Sequence, residues 1–199
     1  MSEVKNILLC GVGGQGTILT SRILTEGLIR AGYDVKMSEV HGMAQRGGSV
    51  STQVRYGEKV YSPLFGKGQA DICVAFERME AARYSDYLKP DGVLIVNDYR
   101  LTPMSVATGS AEYPENAIGA ASAVFRTIVV NAADVAAGLG NKRTMNIVLL
   151  GSLVNELGIG DSQGIDWEEV IRSVVPERLQ AVNLEAFRAG TGSRAGEKP

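Results

Sequence analysis

A glycine-rich segment near the start of the chain has the spacing of a ligand-binding loop. Residues 11–16 read GVGGQG, which satisfies the pattern G-x-G-x-x-G. Residues without a Cβ let backbone N–H groups approach a phosphate or carboxylate closely, and a helix that begins directly after the loop adds partial positive charge. The pattern therefore predicts ligand contacts at Gly11, Gly13, Gly14, Gln15 and Gly16.

The same spacing has alternative explanations. In a dinucleotide-binding fold the loop would hold NAD, and Glu39, about twenty residues further on, would bind the ribose. The glycines can also serve only a tight turn between a strand and a helix. A P-loop for ATP or GTP is excluded, because Thr17 and Ile18 follow the last glycine where a P-loop has Lys and Ser or Thr.

A second segment concentrates residue types that can do chemistry. Residues 38–50 read SEVHGMAQRGGSV and include the single histidine of the chain. A guanidinium can hold a carboxylate or phosphate by two parallel hydrogen bonds, and an imidazole can donate a hydrogen bond or shuttle a proton. We therefore predict accessory catalytic roles for His41 and Arg46, with a loop-shaping histidine and an interface salt bridge as the structural alternatives. Cofactor contacts are predicted for Gln45, Gly47 and Gly48.

The elements that position both segments follow from the pattern of apolar residues. An apolar run over residues 6–10 is typical of a strand buried in a parallel sheet, residues 17–31 have helical spacing, and residues 33–40 form a second strand. This β–α–β order predicts parallel pairing of the two strands. Because loops at the carboxyl ends of neighbouring parallel strands lie side by side, we expect both segments to line one crevice.

The remaining chain predicts a three-layer α/β fold with a mainly parallel sheet and a helical C-terminal third. Alternation over residues 50–56 predicts an antiparallel hairpin with residues 59–62. Further strands are predicted over residues 70–76, 93–96 and 127–130, and helices over residues 77–88, 132–138, 145–157, 167–175 and 178–189. Residues 98–126 give no clear pattern. We expect one catalytic-type domain over residues 1–190 and a mobile tail over residues 191–199.

The helix predicted over residues 77–88 carries a polar cluster. Glu77, Glu80 and Arg83 recur at a spacing of three residues, which favours a solvated helix face, with a subunit contact as the competing interpretation. Tyr84 and Tyr87 follow on the same helix. Aromatic side chains with polar tips are enriched at protein interfaces, so this helix is a candidate contact surface.

Composition excludes several classes of function. A net charge of −2 over 199 residues leaves no positive excess to attract nucleic acid or anionic lipid. The first apolar run is too short for a signal peptide or a membrane span, so we predict a cytoplasmic protein with neither nucleic-acid nor membrane partners.

Metal sites are also limited by composition. Cys10 and Cys73 are the only cysteines, and with a single histidine they cannot supply the ligands of an iron–sulfur cluster or a structural zinc site. Each cysteine lies in an apolar run, which favours two buried core thiols over a disulfide. We predict no metal site in this chain.

Taken together, these segments resemble the gamma component of the 2-oxoacid:ferredoxin oxidoreductases, and in particular its indolepyruvate-type members. The resemblance covers roughly residues 6–190. It rests mainly on the motifs at residues 11–16 and 38–50. Supporting features are Ala70-Asp71, Glu77, Glu80, Arg83, NKRTMN at residues 141–146, and the series Asn183, Ala186, Phe187 and Gly190.

The resemblance implies a subunit of a heteromeric enzyme that oxidatively decarboxylates an aryl 2-oxoacid such as indolepyruvate. Coenzyme A is then the acyl acceptor, and electrons pass to ferredoxin. Thiamine diphosphate and [4Fe-4S] clusters are implied for a larger alpha subunit, so this chain is expected to hold no cofactor and to be inactive alone. In keeping with this, the nearest approach to a Gly-Asp-Gly thiamine signature is Gly160-Asp161-Ser162.

Three roles for the chain stay open at this stage. Its two loops would close over the thiamine site of the partner or receive part of coenzyme A. Alternatively, the chain is a stand-alone NAD-dependent oxidoreductase that uses the glycine loop and Glu39. It can also be a purely architectural subunit whose loops bind no small molecule.

Overall fold

The computed structural model describes residues 4–40, 47–159 and 164–192. Within these ranges six strands form one sheet in the order β2-β3-β1-β4-β5-β6. The strands are β1 (Lys5–Val12), β2 (Asp34–Val40), β3 (Ser49–Gly57), β4 (Ala70–Ala75), β5 (Leu88–Asn97) and β6 (Arg126–Val130).

Helices cover both faces of the sheet. Their bounds are α1 (Thr17–Arg30), α2 (Arg78–Tyr84), α3 (Met104–Ala107), α4 (Ala117–Ser122), α5 (Ala132–Gly138), α6 (Met145–Leu157), α7 (Trp167–Val174) and α8 (Glu177–Gly192). Single 3-10 turns occupy Ser85–Tyr87 and Lys142–Thr144. In the described residues no helix is both long and apolar enough to cross a membrane.

Two apolar clusters separate the three layers. Alternate residues of β1 point to opposite faces, so Leu9 packs with α1, α6, α7 and α8, whereas Leu8 packs with α2 and α4. Both side chains are fully buried. A strand buried on both faces reads as a continuous apolar run, which explains why this strand was recognisable from sequence. The predicted three-layer fold with a helical C-terminal third is confirmed.

The sheet differs from the prediction at its first edge. The strands β1, β4, β5 and β6 are parallel, but β3 is antiparallel to both β1 and β2 and lies between them. The expected direct pairing of the first two strands is therefore wrong. The antiparallel hairpin exists, but its partner strand is β2.

Residues 59–62 form no strand, because side chains form hydrogen bonds with backbone groups of this segment. The carboxylate of Asp34 accepts a hydrogen bond from Val60 N at 2.9 Å, and the Arg55 guanidinium donates to the carbonyls of Ser62 and Leu64 at 2.9 and 3.1 Å. A backbone group that is satisfied by a side chain has no need of a ladder partner. Side chains of β2 and β3 thus replace the second half of the predicted hairpin.

Smaller differences lie at element ends. The helix predicted over residues 77–88 is shorter, since α2 and a 3-10 turn end at Tyr87 and β5 begins at Leu88. The unreadable stretch over residues 98–126 contains the short helices α3 and α4. At the end of the chain α8 continues to Gly192, and residues 193–199 of the predicted tail lie outside the described residues.

Hydrogen bonds join the carboxyl ends of the parallel strands. The carbonyl of Phe76, directly after β4, accepts from Gln15 Nε2 at 3.1 Å and from Asn97 Nδ2 at 3.2 Å. Asn97 Oδ1 in turn accepts from Ala132 N, the first residue of α5, at 3.1 Å. All four groups are buried. This chain of bonds fixes the loops after β1, β4, β5 and β6 relative to one another.

We expect Asn97→Ala to lower the free energy of unfolding by about 2 kcal/mol, because it leaves the Ala132 N–H and one bond of the Phe76 carbonyl unsatisfied in the interior. Urea denaturation followed by circular dichroism measures this. The exposed Asn155 offers a matched control, since Asn155→Ala should change stability by less than about 0.5 kcal/mol. Equal effects of the two variants would contradict the role given to Asn97.

The stability of the chain should depend on pH through the carboxylate of Asp34. A hydrogen bond from Lys36, together with one from Val60 N, lowers the pKa of Asp34 to about 2. A depressed folded-state pKa stabilises the protein above the unfolded-state pKa, and this stabilisation is lost as pH falls through the folded value. The stability difference between the parent and Asp34→Asn should therefore shrink between about pH 5 and pH 2. Urea titrations at several pH values test this, and a constant difference would contradict it.

Candidate functional site

A cavity of about 270 Å³ opens between the glycine loop, the start of α1 and the β2–β3 pair. Its lining residues are Gly13, Gly14, Gly16, Thr17, Ile18, Val40, Val50, Ser51 and Thr52. Both motifs that carry the sequence resemblance thus contribute to one cavity, as far as their residues are described. We refer to it below as the loop cavity.

The glycine loop has a backbone that other residues adopt with difficulty. Gly14 and Gly16 have φ of +98° and +87°, in the left-handed region that favours glycine. A Cβ on Gly16 would also lie 2.6 Å from Asn146 Nδ2. Gly16 is the N-cap of α1 and supplies no side-chain cap, so the first N–H groups of the helix face the cavity region without an intrahelical acceptor.

Gln15 closes the crevice between β1 and β4 rather than lining the loop cavity. Its Oε1 accepts a hydrogen bond from Val12 N at 2.7 Å, and its Nε2 donates to the Phe76 carbonyl. In open α/β sheets a ligand usually binds at the point where the chain reverses its direction of winding, which here lies between β1 and β4. Because the Gln15 amide fills that point, the accessible space lies on the other side of β1.

Two buried threonine side chains line the loop cavity. Thr17 and Thr52 expose 5% and 2% of their surface, and in the described part of the chain neither hydroxyl makes a hydrogen bond. Buried polar groups are nearly always paired, so unpaired ones call for an explanation. Sequence inspection missed both residues, because a threonine beside an apolar run looks like an ordinary strand or helix residue.

A polar network on the opposite face anchors the end of the second motif. Glu80 is 2% exposed and accepts hydrogen bonds from Ser49 Oγ and, at 3.1 Å, from Arg83 Nε. The Tyr84 hydroxyl lies 3.2 Å from Ser49 Oγ. Next to Ser49, the Gly48 carbonyl accepts from Gly13 N at 2.8 Å. Glu80 therefore anchors Ser49, the neighbour of the residue whose carbonyl bonds to the glycine loop.

The prediction that Glu77 and Glu80 lie on a solvated face of α2 is wrong, because both carboxylates are buried. Glu77 is fully buried and caps α2, accepting hydrogen bonds from Met79 N and Glu80 N. Its other oxygen accepts from Leu101 N at 3.1 Å and from the Tyr113 hydroxyl. Burial and the Glu77 carboxylate raise the pKa of Tyr113. An acidic residue directly after a buried strand is a helix N-cap signal that could have indicated this placement.

Three predicted site residues, His41, Gln45 and Arg46, lie outside the described residues. Gly47 and Gly48 are described, and Gly48 is bonded to the glycine loop as given above. The roles predicted for all five residues stay predictions.

The position of Glu39 in the sheet disfavours the NAD-binding alternative. A dinucleotide fold places its ribose-binding acid on the strand next to β1. Glu39 lies on β2, which β3 separates from β1, so it stands two strand spacings, or roughly 10 Å, from that strand. This arrangement disfavours the ribose contact proposed for Glu39.

The described residues provide no group of three metal-ligating side chains. Cys10 and Cys73 are both buried free thiols, as predicted, with their sulfur atoms 3.7 Å apart. Burial raises the pKa of the Cys10 thiol well above its ordinary value, which disfavours the thiolate form that binds metals. Both cysteines pack in the apolar cluster on one face of the sheet.

Comparison with known proteins identifies the family. Residues 6–193 match the family described as pyruvate ferredoxin/flavodoxin oxidoreductase. The chain belongs to this family. The resemblance drawn from the two loop motifs is thereby confirmed.

Individual members of the family are similar over nearly the full chain. Identity to indolepyruvate oxidoreductase subunit IorB of Archaeoglobus fulgidus is 39% over 198 residues, which cover 98% of this chain and 97% of that one. Identity to 2-oxoglutarate synthase subunit KorC of Methanothermobacter thermautotrophicus is 30%, covering 96% and 95%. The structure of a keto/oxoacid ferredoxin oxidoreductase gamma subunit from Geobacter sulfurreducens matches with a TM-score of 0.71 and 26% identity over 94% of each chain.

The anchor of the second motif is testable by stability. Ser49→Ala removes a hydrogen bond from the buried Glu80 carboxylate, so we expect a loss of about 1–2 kcal/mol in the free energy of unfolding. Ser105 is exposed and makes no side-chain hydrogen bond that bears on the sheet, so Ser105→Ala is the matched control. Chemical denaturation of both variants measures the difference. A Ser49→Ala variant as stable as the control would show that Glu80 does not hold this strand end.

Proposed function

We propose that the chain is the small, cofactor-free subunit of a heteromeric, indolepyruvate-type 2-oxoacid:ferredoxin oxidoreductase. The complex would oxidatively decarboxylate aryl 2-oxoacids with coenzyme A as the acyl acceptor and pass electrons to ferredoxin. The observation that carries this proposal is the loop cavity, because both family motifs line it and the bond from Gly13 N to the Gly48 carbonyl ties them together.

The proposed assignment of cofactors to subunits rests on which metal ligands this chain offers. Its two cysteines are buried in the sheet, so the described residues do not fit an iron–sulfur cluster. We therefore assign the clusters to a larger partner subunit, together with thiamine diphosphate, which the family resemblance implies there. The chain would act through its loops.

The proposed role of these loops is accessory. The glycine loop and the segment over residues 41–48 would cover the reacting centre of the partner or receive part of coenzyme A. Either action excludes water and holds the acyl group near its acceptor, which raises the rate by positioning. Arg46 would hold a carboxylate or phosphate, and His41 would donate a hydrogen bond or move a proton.

Indolepyruvate is the proposed substrate because the similar subunits at 38–39% identity carry that name. The 2-oxoglutarate synthase subunits are less similar, at 28–30% identity. Most of the acyl pocket would lie on the partner, so the choice among aryl 2-oxoacids is made there.

Anaerobic co-purification with the tagged chain tests the assembly. We expect a large partner, visible absorbance from iron–sulfur clusters, and reduction of ferredoxin with an aryl 2-oxoacid and coenzyme A. A colourless monomer or homodimer that binds NAD would overturn the proposal.

Variants of the second motif test the accessory role. Arg46→Ala and His41→Ala should each lower turnover by about tenfold or more while the complex still assembles. Arg178 lies exposed on α8, so Arg178→Ala serves as the matched control with unchanged turnover. Steady-state kinetics and gel filtration measure the two properties. Normal turnover in both motif variants would favour a purely architectural subunit.

A further inference from the structure

A second cavity lies at the opposite end of the sheet from the loop cavity. Its volume is about 270 Å³, and it opens at the amino ends of β1, β4 and β5, beside the last residues of α6. Lys5 and Tyr56 line it, and we call it the Tyr56 cavity. The strand β1 runs from Lys5 to Val12 beside the glycine loop, so at about 3.3 Å per residue the two cavities lie roughly 20 Å apart. A small ligand in one cavity therefore cannot react with a group in the other.

Tyr56 gives this cavity a buried hydrogen-bond donor. The side chain is 6% exposed, and its hydroxyl makes no hydrogen bond with any of the described residues. Its ring packs edge-on against that of Tyr33, with 5.1 Å between the ring centroids, which holds the ring in place. Burial raises the pKa of the Tyr56 hydroxyl to about 12, so the proton stays on the oxygen at physiological pH. A buried donor of this kind calls for an acceptor.

Charge next to the hydroxyl favours an anion as that acceptor. Asp71 Oδ1 accepts hydrogen bonds from the ammonium groups of Lys89 at 2.8 Å and of Lys5 at 3.4 Å, and Asp71 Oδ2 accepts one from Asn6 N at 2.8 Å. Two ammonium groups thus share one carboxylate, which leaves an excess of one positive charge. The side chain of Lys5 is 45% exposed, and an ammonium group has three N–H donors, so Lys5 can bind a ligand and Asp71 together.

Two further carboxylates border the cavity without cancelling this excess. Glu156 accepts hydrogen bonds from both terminal nitrogens of the Arg126 guanidinium, which balances its charge. Asp91 is exposed, so water and salt screen its charge. The buried end of the cavity is therefore the positive end.

The remaining walls are apolar. Ile72, Val93 and Leu157 line the cavity beside the polar groups. A volume of about 270 Å³ exceeds that of a single small anion and leaves room for a body of several carbon atoms. The ligand should therefore combine one anionic group with an apolar body.

We propose that the Tyr56 cavity binds a small monocarboxylate with an apolar body, whose carboxylate accepts hydrogen bonds from the Tyr56 hydroxyl and the Lys5 ammonium. The apolar body packs against Ile72, Val93 and Leu157. Because this site is remote from the loop cavity, its occupant is a second ligand and not a molecule that reacts there. Binding at this site does not depend on the proposed function and can be measured without turnover.

Isothermal titration calorimetry of the full chain with phenylacetate tests the site, because this probe carries a single carboxylate on an aromatic body. We expect saturable binding to the parent and an affinity at least about tenfold weaker in Tyr56→Phe, which keeps the ring and removes the hydroxyl. The melting temperature of ligand-free Tyr56→Phe should equal or exceed that of the parent, because an unpaired buried hydroxyl has been removed. Phenethylamine, which has an ammonium group in place of the carboxylate, should not bind.

Two matched controls separate the site from general effects of substitution. Tyr33→Phe removes a neighbouring hydroxyl that does not line the cavity, so this variant should bind phenylacetate like the parent. Lys5→Met should weaken phenylacetate binding by about tenfold. Lys59→Met should not, although Lys59 likewise shares an aspartate, Asp34, with a second lysine.

The proposal is overturned if the parent shows no saturable binding of phenylacetate, or if Tyr56→Phe and Lys5→Met bind it with the affinity of the parent. Equal binding of phenylacetate and phenethylamine would also overturn it, since apolar contacts alone would then fill the cavity. A lowered melting temperature of Tyr56→Phe with unchanged phenylacetate affinity would assign the hydroxyl to the fold and contradict its role in binding.

Discussion

The carbonyl of Phe76 is the group on which the arrangement of this protein depends. It lies at the end of β4 and accepts hydrogen bonds from both Gln15 and Asn97, so the loops after β1, β4 and β5 share one buried acceptor. Hydrogen bonds from buried side-chain amides fix these loops, because a buried polar group that loses its partner cannot bond to water instead. The glycine loop is therefore set by a contact across the sheet as well as by its own backbone.

This constraint also decides where a ligand can enter. By filling the crevice between β1 and β4, the Gln15 side chain moves the accessible space toward β3 and β2. There the antiparallel strand β3 brings the end of the second motif against the glycine loop, and Glu80 anchors it from the other face through Ser49. A fold that resembles a dinucleotide-binding domain thus forms a cavity in a different place, with a different lining.

Two side chains that line the loop cavity lower the stability of the chain. Valines in place of Thr17 and Thr52 would make the chain more stable, since both hydroxyls are buried and make no hydrogen bond within residues 4–40, 47–159 and 164–192. Residues that break a general rule of packing without a structural gain are concentrated at functional sites. The acidic pair Glu77 and Glu80 is different, because every described contact of these carboxylates supports the fold.

The sequence by itself determined the family, the three-layer fold and the positions of most strands and helices. Buried parallel strands and the long motif over residues 38–50 are local signals, readable without knowledge of distant partners. Tertiary structure decided the pairing of β3, the burial of Glu80 and the unpaired hydroxyl of Thr52. Each of these depends on which distant group comes within hydrogen-bonding distance. The periodicity of the sequence does not show which distant groups meet, because the packing of the whole sheet determines those contacts.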